Sequence, residues 1–316
     1  LCMVDDILGV QKCSEKSMEL NSAINTFVEL KKLNLSSKKC SKIHIGKLND
    51  LCPDLKVHAA KMKVSEQEKY LGDKLNKTGK INATVEDRVA KGYGVVSEIL
   101  ALLDEIPLGK YKLEIGLKLR QAMLINGVLF NSEAWHGLTS EHVKALEKVD
   151  EHLLRALLQG HAKVPLEFLY LETGAVPIKF IISTRRLIYL QTILKRDEEE
   201  ITKRIFREQI KNPCPGDFSE LIIDDFKLIN KTYSENDILS SGPAYPTLIK
   251  KEIRKAAFNH LVNLQRGHSK VMDIEYDKLA AQNYLSSPTF SNTDVSLLAA
   301  LRSHTLRGVK CDFKNM

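Results

Sequence analysis

The period of the hydrophobic pattern changes at Asn76, and that change limits what the chain can fold into. Up to Asn76, apart from one helical stretch after Ser14, apolar residues come in short runs or alternate with polar ones, as in LCMVDDILGV at positions 1–10 and at Ile43 and Ile45 around His44. Beyond it they recur at intervals of three and four, the spacing that lines one face of an α-helix. The fold class expected is therefore α+β, a small strand-bearing segment followed by a mainly helical one.

Within the first segment, Ser14 can cap a helix with Glu15 in its first turn and Leu20, Ile24, Phe27 and Leu30 at helical spacing. Residues 33–37 break that pattern. A short strand is expected around Leu55 and Val57, and Tyr70, Leu71 and Gly72 fit a hairpin turn in which Gly72 supplies positive φ or a close backbone approach. In the second segment Thr84 followed by Asp87 resembles a capping box, and Val85, Val89, Val96, Ile99, Leu100 and Leu103 form a stripe that Pro107 ends. Gly92 and Gly94 inside it weaken a helix, so they point to close packing against another backbone or a nucleic-acid strand. Further helices are expected at 110–130 and 140–158, with the single Trp135 between them assigned to packing rather than base stacking. Gly174 stops a short helix and Pro177 starts a long one, on which Arg185 and Arg186 are read as a solvated face, with nucleic-acid contact as the alternative. Pro, Gly and Ser concentrate near 211–220 and 236–246, which reads as linkers, and helices resume at 247–264 and 294–307.

Composition narrows the class. The 316 residues are 43% hydrophobic, enough to bury cores, and contain no run of about eighteen apolar residues. The opening stretch carries two charges and no basic lead, unlike a signal peptide. A soluble, intracellular protein, nuclear or cytoplasmic, is expected. Cysteines at 2, 13, 40, 52, 214 and 311 make no CxxC pair, and the nine histidines make no HExxH spacing, so neither disulfides nor zinc is expected. His136, His142 and His152 are read as helix-surface or core residues.

Residues 1–80 carry 15 lysines against 10 carboxylates, most of the net charge of +7. Lys31, Lys32, Lys38, Lys39, Lys42 and Lys47 fall within seventeen residues that hold no carboxylate. Such a run is either a solvated face or an electrostatic track for nucleic acid. What favours the track is the adjacent pair Asp5 and Asp6, expected at the bend of a hairpin whose turn propensity is poor for Asp-Asp. Paired hard oxygen ligands suit Mg²⁺, which takes one or two protein carboxylates and completes its shell with water and phosphates, although an Asp-Asp pair read alone is more often a solvated turn.

LCMVDDILGV resembles motif C of reverse transcriptases, the aromatic-x-Asp-Asp box of the palm, with Met3 where Tyr or Phe is usual. A helix, the stretch LNLSSKKCSKIHIGK resembling motif D, and EKYLGDKL resembling motif E follow in the family's order. The helical part resembles the thumb, and EFLYLETGAVPIKFIISTRRLIYLQTILKR resembles the region after the thumb in non-LTR (LINE-type) retrotransposon proteins. The resemblance implies a partial palm at 1–76, a helical thumb-like domain at 77–162 and a helical post-thumb region at 163–316. It implies an RNA-directed DNA polymerase in which Asp5 and Asp6 hold Mg²⁺ and Lys39 protonates the pyrophosphate leaving group. Lys39 read alone could equally be a phosphate contact, since an exposed ammonium is a poor acid. Lys31, Lys32, Lys38 and Lys42, with Tyr70, Leu71 and Gly72 at the primer grip, would contact nucleic acid. The partners implied are an RNA template, a DNA primer and deoxynucleoside triphosphates, with no membrane. Motifs A and B are not among these residues and the chain starts at Leu1, so it is expected to be a fragment that lacks upstream fingers and palm and is catalytically incomplete. The end, LRSHTLRGVKCDFKNM, resembles the approach to a zinc knuckle without the knuckle, so Cys311 is not taken as a ligand. Two other readings stay open, a noncatalytic helical nucleic-acid-binding protein derived from such an element and a helical interaction protein.

Overall fold

A computed structural model describes residues 2–3, 6–11, 14–33, 35–36, 39–45, 54–57, 60–105, 111–158, 164–266, 276–286 and 291–302. It is mostly helical with few, short strands, an α+β composition. Contacts divide the chain into two compact units, Leu1–Thr84 and Val85–Met316.

The first unit is built from two-stranded ladders around one helix. β1 (Cys2–Met3) and β2 (Asp6–Ile7) pair antiparallel, with Met3 opposite Asp6. Asp6 is thus a strand residue and not part of a bend, whereas Asp5, the other member of the pair expected there, lies outside the described residues. α1 (Ser14–Leu30) follows as expected, but its inner face is Leu20, Ile24 and Val28 rather than the stripe through Phe27 and Leu30, both of which are exposed. Leu20 and Ile24 crowd Gly9, where a Cβ would sit 2.7 Å from Leu20 Cδ2. β3 (Ser41–Lys42) pairs in parallel with β6 (Lys63–Val64), so the expected alternation at Ile43 and Ile45 lies just past the ladder. β4 (Lys56–Val57) and β5 (Ala60–Lys61) form a third ladder, held to α1 by the Asn25 side chain donating to the Lys56 carbonyl at 3.0 Å. β7 (Gln67–Tyr70) and β8 (Asp73–Asn76) form the expected hairpin, turning through Leu71 at φ 46° and Gly72 at φ 93°.

α2 (Asn82–Glu105) starts two residues before Thr84, so Thr84 does not cap it. The Thr84 hydroxyl instead accepts from Lys74 N–H at 2.8 Å and donates to the Lys74 carbonyl, tying the helix start to β8. Val85, Val96, Ile99 and Leu103 are buried. Gly92 packs closely, but against side chains rather than another backbone: a Cβ there would lie 2.8 Å from Val149 Cγ1 and 3.0 Å from Val128 Cγ2, whereas Gly94 faces open space.

The next helical stretch is α3 (Lys112–Leu119), a π-helical turn (Arg120–Ile125) and α4 (Asn126–Val128), then α5 (Ser140–Leu157), α6 (Leu166–Thr173) and α7 (Ile178–Leu194). Trp135 is buried. His142 has a capping role that its surface reading missed: its Nδ1 accepts from Thr139 N–H while the Thr139 hydroxyl accepts from His142 N–H. Gly174 closes α6 in the left-handed region at φ 66°, and its carbonyl side is so tight that a Cβ would meet Ala281 N at 2.3 Å.

α7 is the centre of this unit. Apolar residues surround it on every side, which is the pattern of a helix buried all round, and it packs on α5, α9, α10 and α11. The polar residues it carries therefore need partners inside. Arg186, read from sequence as a solvated face, is 5% exposed and donates to Asp225 through Nε at 2.7 Å and Nη2 at 3.1 Å, while Ser183 donates to the same carboxylate at 2.6 Å. Arg185 reaches the Leu129 carbonyl and, at 3.0 Å, Asn126. Asp225 belongs to α9 (Phe218–Leu228), and α8 (Ile201–Lys211) and α10 (Glu235–Ser240) flank it, so part of the stretch read as linker is core. α11 (Tyr245–Arg266) and α12 (Asn292–Arg302) complete the described helices. Among the described residues no helix is long and apolar enough to cross a membrane.

A second buried carboxylate joins the segments around position 162. Asp150, 0% exposed, accepts from Arg120 Nε and Nη2, each at 2.6 Å, and from the Tyr170 hydroxyl at 3.0 Å. Burial, with Asp150 adding to it, pushes the Tyr170 phenol well above its ordinary pKa, so it remains a donor. Removing one partner of a buried ion pair strands the other charge at a cost of about 3–5 kcal/mol, whereas replacing both by apolar side chains is often near neutral. Asp150→Ala is accordingly expected to lose about that much stability, and Arg120→Met with Asp150→Leu to recover a large part of it. Urea midpoints of the two variants check this, and an equal loss in both would count against the ion pair as the cause.

Candidate nucleic-acid interface

The basic surface of the first unit is assembled from three chain segments. The parallel ladder sets Ser41 beside Lys63, and the β4–β5 ladder sets Lys56 beside Lys61. Asp54 lies among them: Lys61 Nζ is 2.7 Å from its carboxylate, both groups being largely exposed. The Lys61 hydrogen bond, with Lys42 and Lys56 contributing through their charge, holds the Asp54 carboxyl below the usual carboxylate range. Lys42, Lys56 and Lys61 therefore bear on one point, and Lys63 stands across the ladder from Ser41. Such a group of ammonium ions with one exposed carboxylate is suited to phosphate oxygens, which displace counterions without reading sequence.

Lys42 is the run's inward member, 8% exposed, with its carbonyl accepting from Ser65 N–H at 2.9 Å. Lys31 and Lys32 are exposed but do a local job. Lys32 N–H donates to the Glu29 carbonyl at 3.1 Å and Leu33 N–H to the Val28 carbonyl at 2.9 Å, which closes α1 in a Schellman turn with Lys32 in the left-handed region at φ 51°. Cations at a helix C-terminus also offset its dipole. Lys39 is exposed, in a turn whose N–H bonds to the Ser36 carbonyl.

Tyr70, Leu71 and Gly72 form the hairpin tip, where Tyr70 pairs with Asp73 and both turn residues have positive φ. A type I′ geometry of this kind twists as the strands do. Leu71 is an unusual occupant of its first position, since side chains other than Asn, Asp or Gly resist that conformation.

Asp5, Lys38, Lys47, Cys311 and the side chain of Asp6 lie outside the described residues. The backbone of Asp6 is placed in the β1–β2 ladder opposite Met3. Among the described residues no three His, Cys, Asp or Glu side chains gather as a metal site. Lys56, Lys61 and Lys63 were missed by sequence reasoning because carboxylates and apolar residues are interspersed with them in the chain; the alternation KMK at 61–63 was the only local signal. No protein-family model, curated protein or solved structure matches the chain.

The left-handed lysine and the Asp54 pair each give a measurement. Lys32→Gly is expected to stabilise the first unit by about 1 kcal/mol, because a side chain costs roughly that much in the left-handed region, while Lys32→Val lowers stability; chemical denaturation reads both. Because pairing lowers the Asp54 pKa in the folded state, its contribution to stability is full above the unfolded carboxylate pKa and fades as pH falls through the folded value. In Lys61→Gln the Asp54 carboxyl is expected to titrate closer to its ordinary value in an NMR pH series. An unchanged titration would remove Lys61 as the main cause.

Proposed function

We propose that this chain is the C-terminal portion of a non-LTR retrotransposon reverse transcriptase, running from palm motif C through a thumb to a post-thumb region. The observation that carries the reading is the order of elements. A short hairpin at Met3 and Asp6, a helix, a ladder at Ser41 and Lys42, a hairpin turning at Leu71 and Gly72, and then a long helical unit follow one another as motifs C, D, E and thumb do. The lysines around Asp54 support a nucleic-acid partner for the first unit.

Under this reading Asp5 and Asp6, with a motif A aspartate from outside these residues, hold Mg²⁺, which activates the primer 3′ hydroxyl and neutralises charge on the incoming triphosphate. Lys39 acts on the pyrophosphate leaving group, as acid or as phosphate contact. Lys56, Lys61 and Lys63 hold the backbone of an RNA–DNA duplex, with the buried Lys42 adding only its charge, and the tip at Tyr70, Leu71 and Gly72 lies against the primer. Motifs A and B are not among residues 1–316, so this chain alone does not extend a primer. A noncatalytic nucleic-acid-binding descendant shares the lysine surface and differs only in needing no carboxylate pair.

The genomic sequence upstream of Leu1 tests the assignment: an in-frame strand bearing an Asp followed by a Gly-containing helix supports it, and immediate stop codons favour the noncatalytic descendant. In the complete enzyme Asp5→Asn is expected to abolish primer extension on an RNA template while the protein stays folded. For the chain itself, fluorescence anisotropy with an RNA–DNA duplex is expected to show affinity falling by roughly 0.9 logarithmic unit per phosphate contact for each tenfold rise in salt. Gln at Lys56, Lys61 and Lys63 should flatten that slope, and Asp54→Asn should strengthen binding by removing the competing carboxylate. A slope unmoved by the lysine changes would return these residues to an ordinary solvated face.

A further inference from the structure

α11 concentrates positive charge in the second unit. Its 22 residues carry Lys250, Lys251, Arg254, Lys255 and Arg266 against the single carboxylate of Glu252, a net +4 beside +7 for the whole chain. Ile249, Ile253, Ala257 and Leu261 turn inward and are buried where the helix packs on α6 and α7, which leaves Lys250, Lys251 and Lys255 exposed on the outer side. Glu252 is half-buried.

These three lysines differ from other cations of the unit in having no task in the fold. Arg186 is committed to Asp225, Arg207 to Glu235 and Lys203 to Glu198. Arg254, on the same turn as the lysines, donates through Nε and Nη2 to the Leu279 carbonyl at 3.0 and 2.5 Å, and so is taken up in docking the chain around Leu279. The exposed Asp277 and Lys278 next to that carbonyl offset each other. Among the described residues no carboxylate forms an ion pair with Lys250, Lys251 or Lys255. Three like charges within about 7.5 Å of helix axis repel one another, and a polyanion relieves that repulsion.

The chemistry of the face selects the partner. An interfacial helix enters a lipid surface by its apolar side, and that side of α11 is already covered by α6 and α7. Protein interfaces are depleted in lysine and centre on aromatic or arginine anchors, whereas here lysines stand together and Arg254 is engaged elsewhere. A nucleic-acid backbone asks for ammonium density alone, and over about 7.5 Å one strand presents roughly two phosphates.

We propose that the outer face of α11 is a second nucleic-acid surface, at which Lys250, Lys251 and Lys255 contact about two backbone phosphates without reading sequence. It lies in a different unit from the lysines around Asp54 and does not depend on the polymerase assignment.

Fluorescence anisotropy with an RNA–DNA duplex of about twelve base pairs, roughly 40 Å long, compares the full chain with two variants, one with Lys250→Gln, Lys251→Gln and Lys255→Gln, the other with Lys56→Gln, Lys61→Gln and Lys63→Gln. The α11 variant is expected to lower the slope of log affinity against log salt by about two, with an unchanged melting temperature because the three side chains are exposed. Arg at the same three positions is expected to keep the wild-type slope. A failure of the first-unit surface is distinguishable, since the changes at 56, 61 and 63 then have no effect while those on α11 still do. A slope unmoved in the α11 Gln variant would overturn the proposal, as would α11-dependent binding to phosphatidylserine vesicles in place of the duplex.

Discussion

The helical unit depends on a carboxylate with no access to water. Asp150 receives two hydrogen bonds from Arg120 and one from Tyr170, so a single side chain on α5 joins the π-turn and α6. Arg120 also donates to the Val176 carbonyl at 3.0 Å, which adds the connection leading into α7. A charge buried this deeply is tolerable only when every lone pair is met, and that requirement specifies the mutual placement of four segments more narrowly than apolar contact does. Helices surrounded by Leu, Ile and Val can slide; a bidentate Arg–Asp pair cannot.

The same device recurs twice. Asp225 collects Arg186 and Ser183 and so ties α9 to α7. Glu172 of α6, also 0% exposed, accepts from Tyr276, from Tyr284 at 2.5 Å and from Arg302 at 2.9 Å, which docks the last described helix and the segment before it. Arg302 lies over both tyrosine rings, 5.9 and 5.4 Å from their centroids. Three acidic residues scattered in sequence thus hold most of the helices in register. A cavity between α5, α6, α7, α9 and α11 is bounded by two of these clusters, Tyr170 contributing from one and Arg186, Ser183 and Asp225 from the other.

The first unit is organised on the opposite principle. Its ladders are two residues long in three cases, and its polar groups are largely exposed. What these ladders achieve is placement: they set Lys56 beside Lys61, with Lys42 acting on the same Asp54 carboxylate, without a large core. A surface of this kind is apt for a polyanion, whose attraction needs charge density more than shape.

Periodicity with cap and proline signals located several helices, α1, α5 and α7 beginning where Ser14, Ser140 and Pro177 indicated, whereas α8, α9 and α10 were not expected from the sequence. The turn at Leu71 and Gly72 was equally legible, since few backbones tolerate that geometry and glycine marks it. Tertiary structure decided the rest. Arg186 and Asp225 look like surface charges in the sequence, and only the packing of α9 on α7 makes them a buried pair. Lys56 and Lys61 look like members of a mixed, uninformative stretch until strand pairing sets them side by side. In each case the deciding partner is distant in sequence: charge carries no period of its own, so its burial and its neighbours follow from where the apolar faces have already placed the elements.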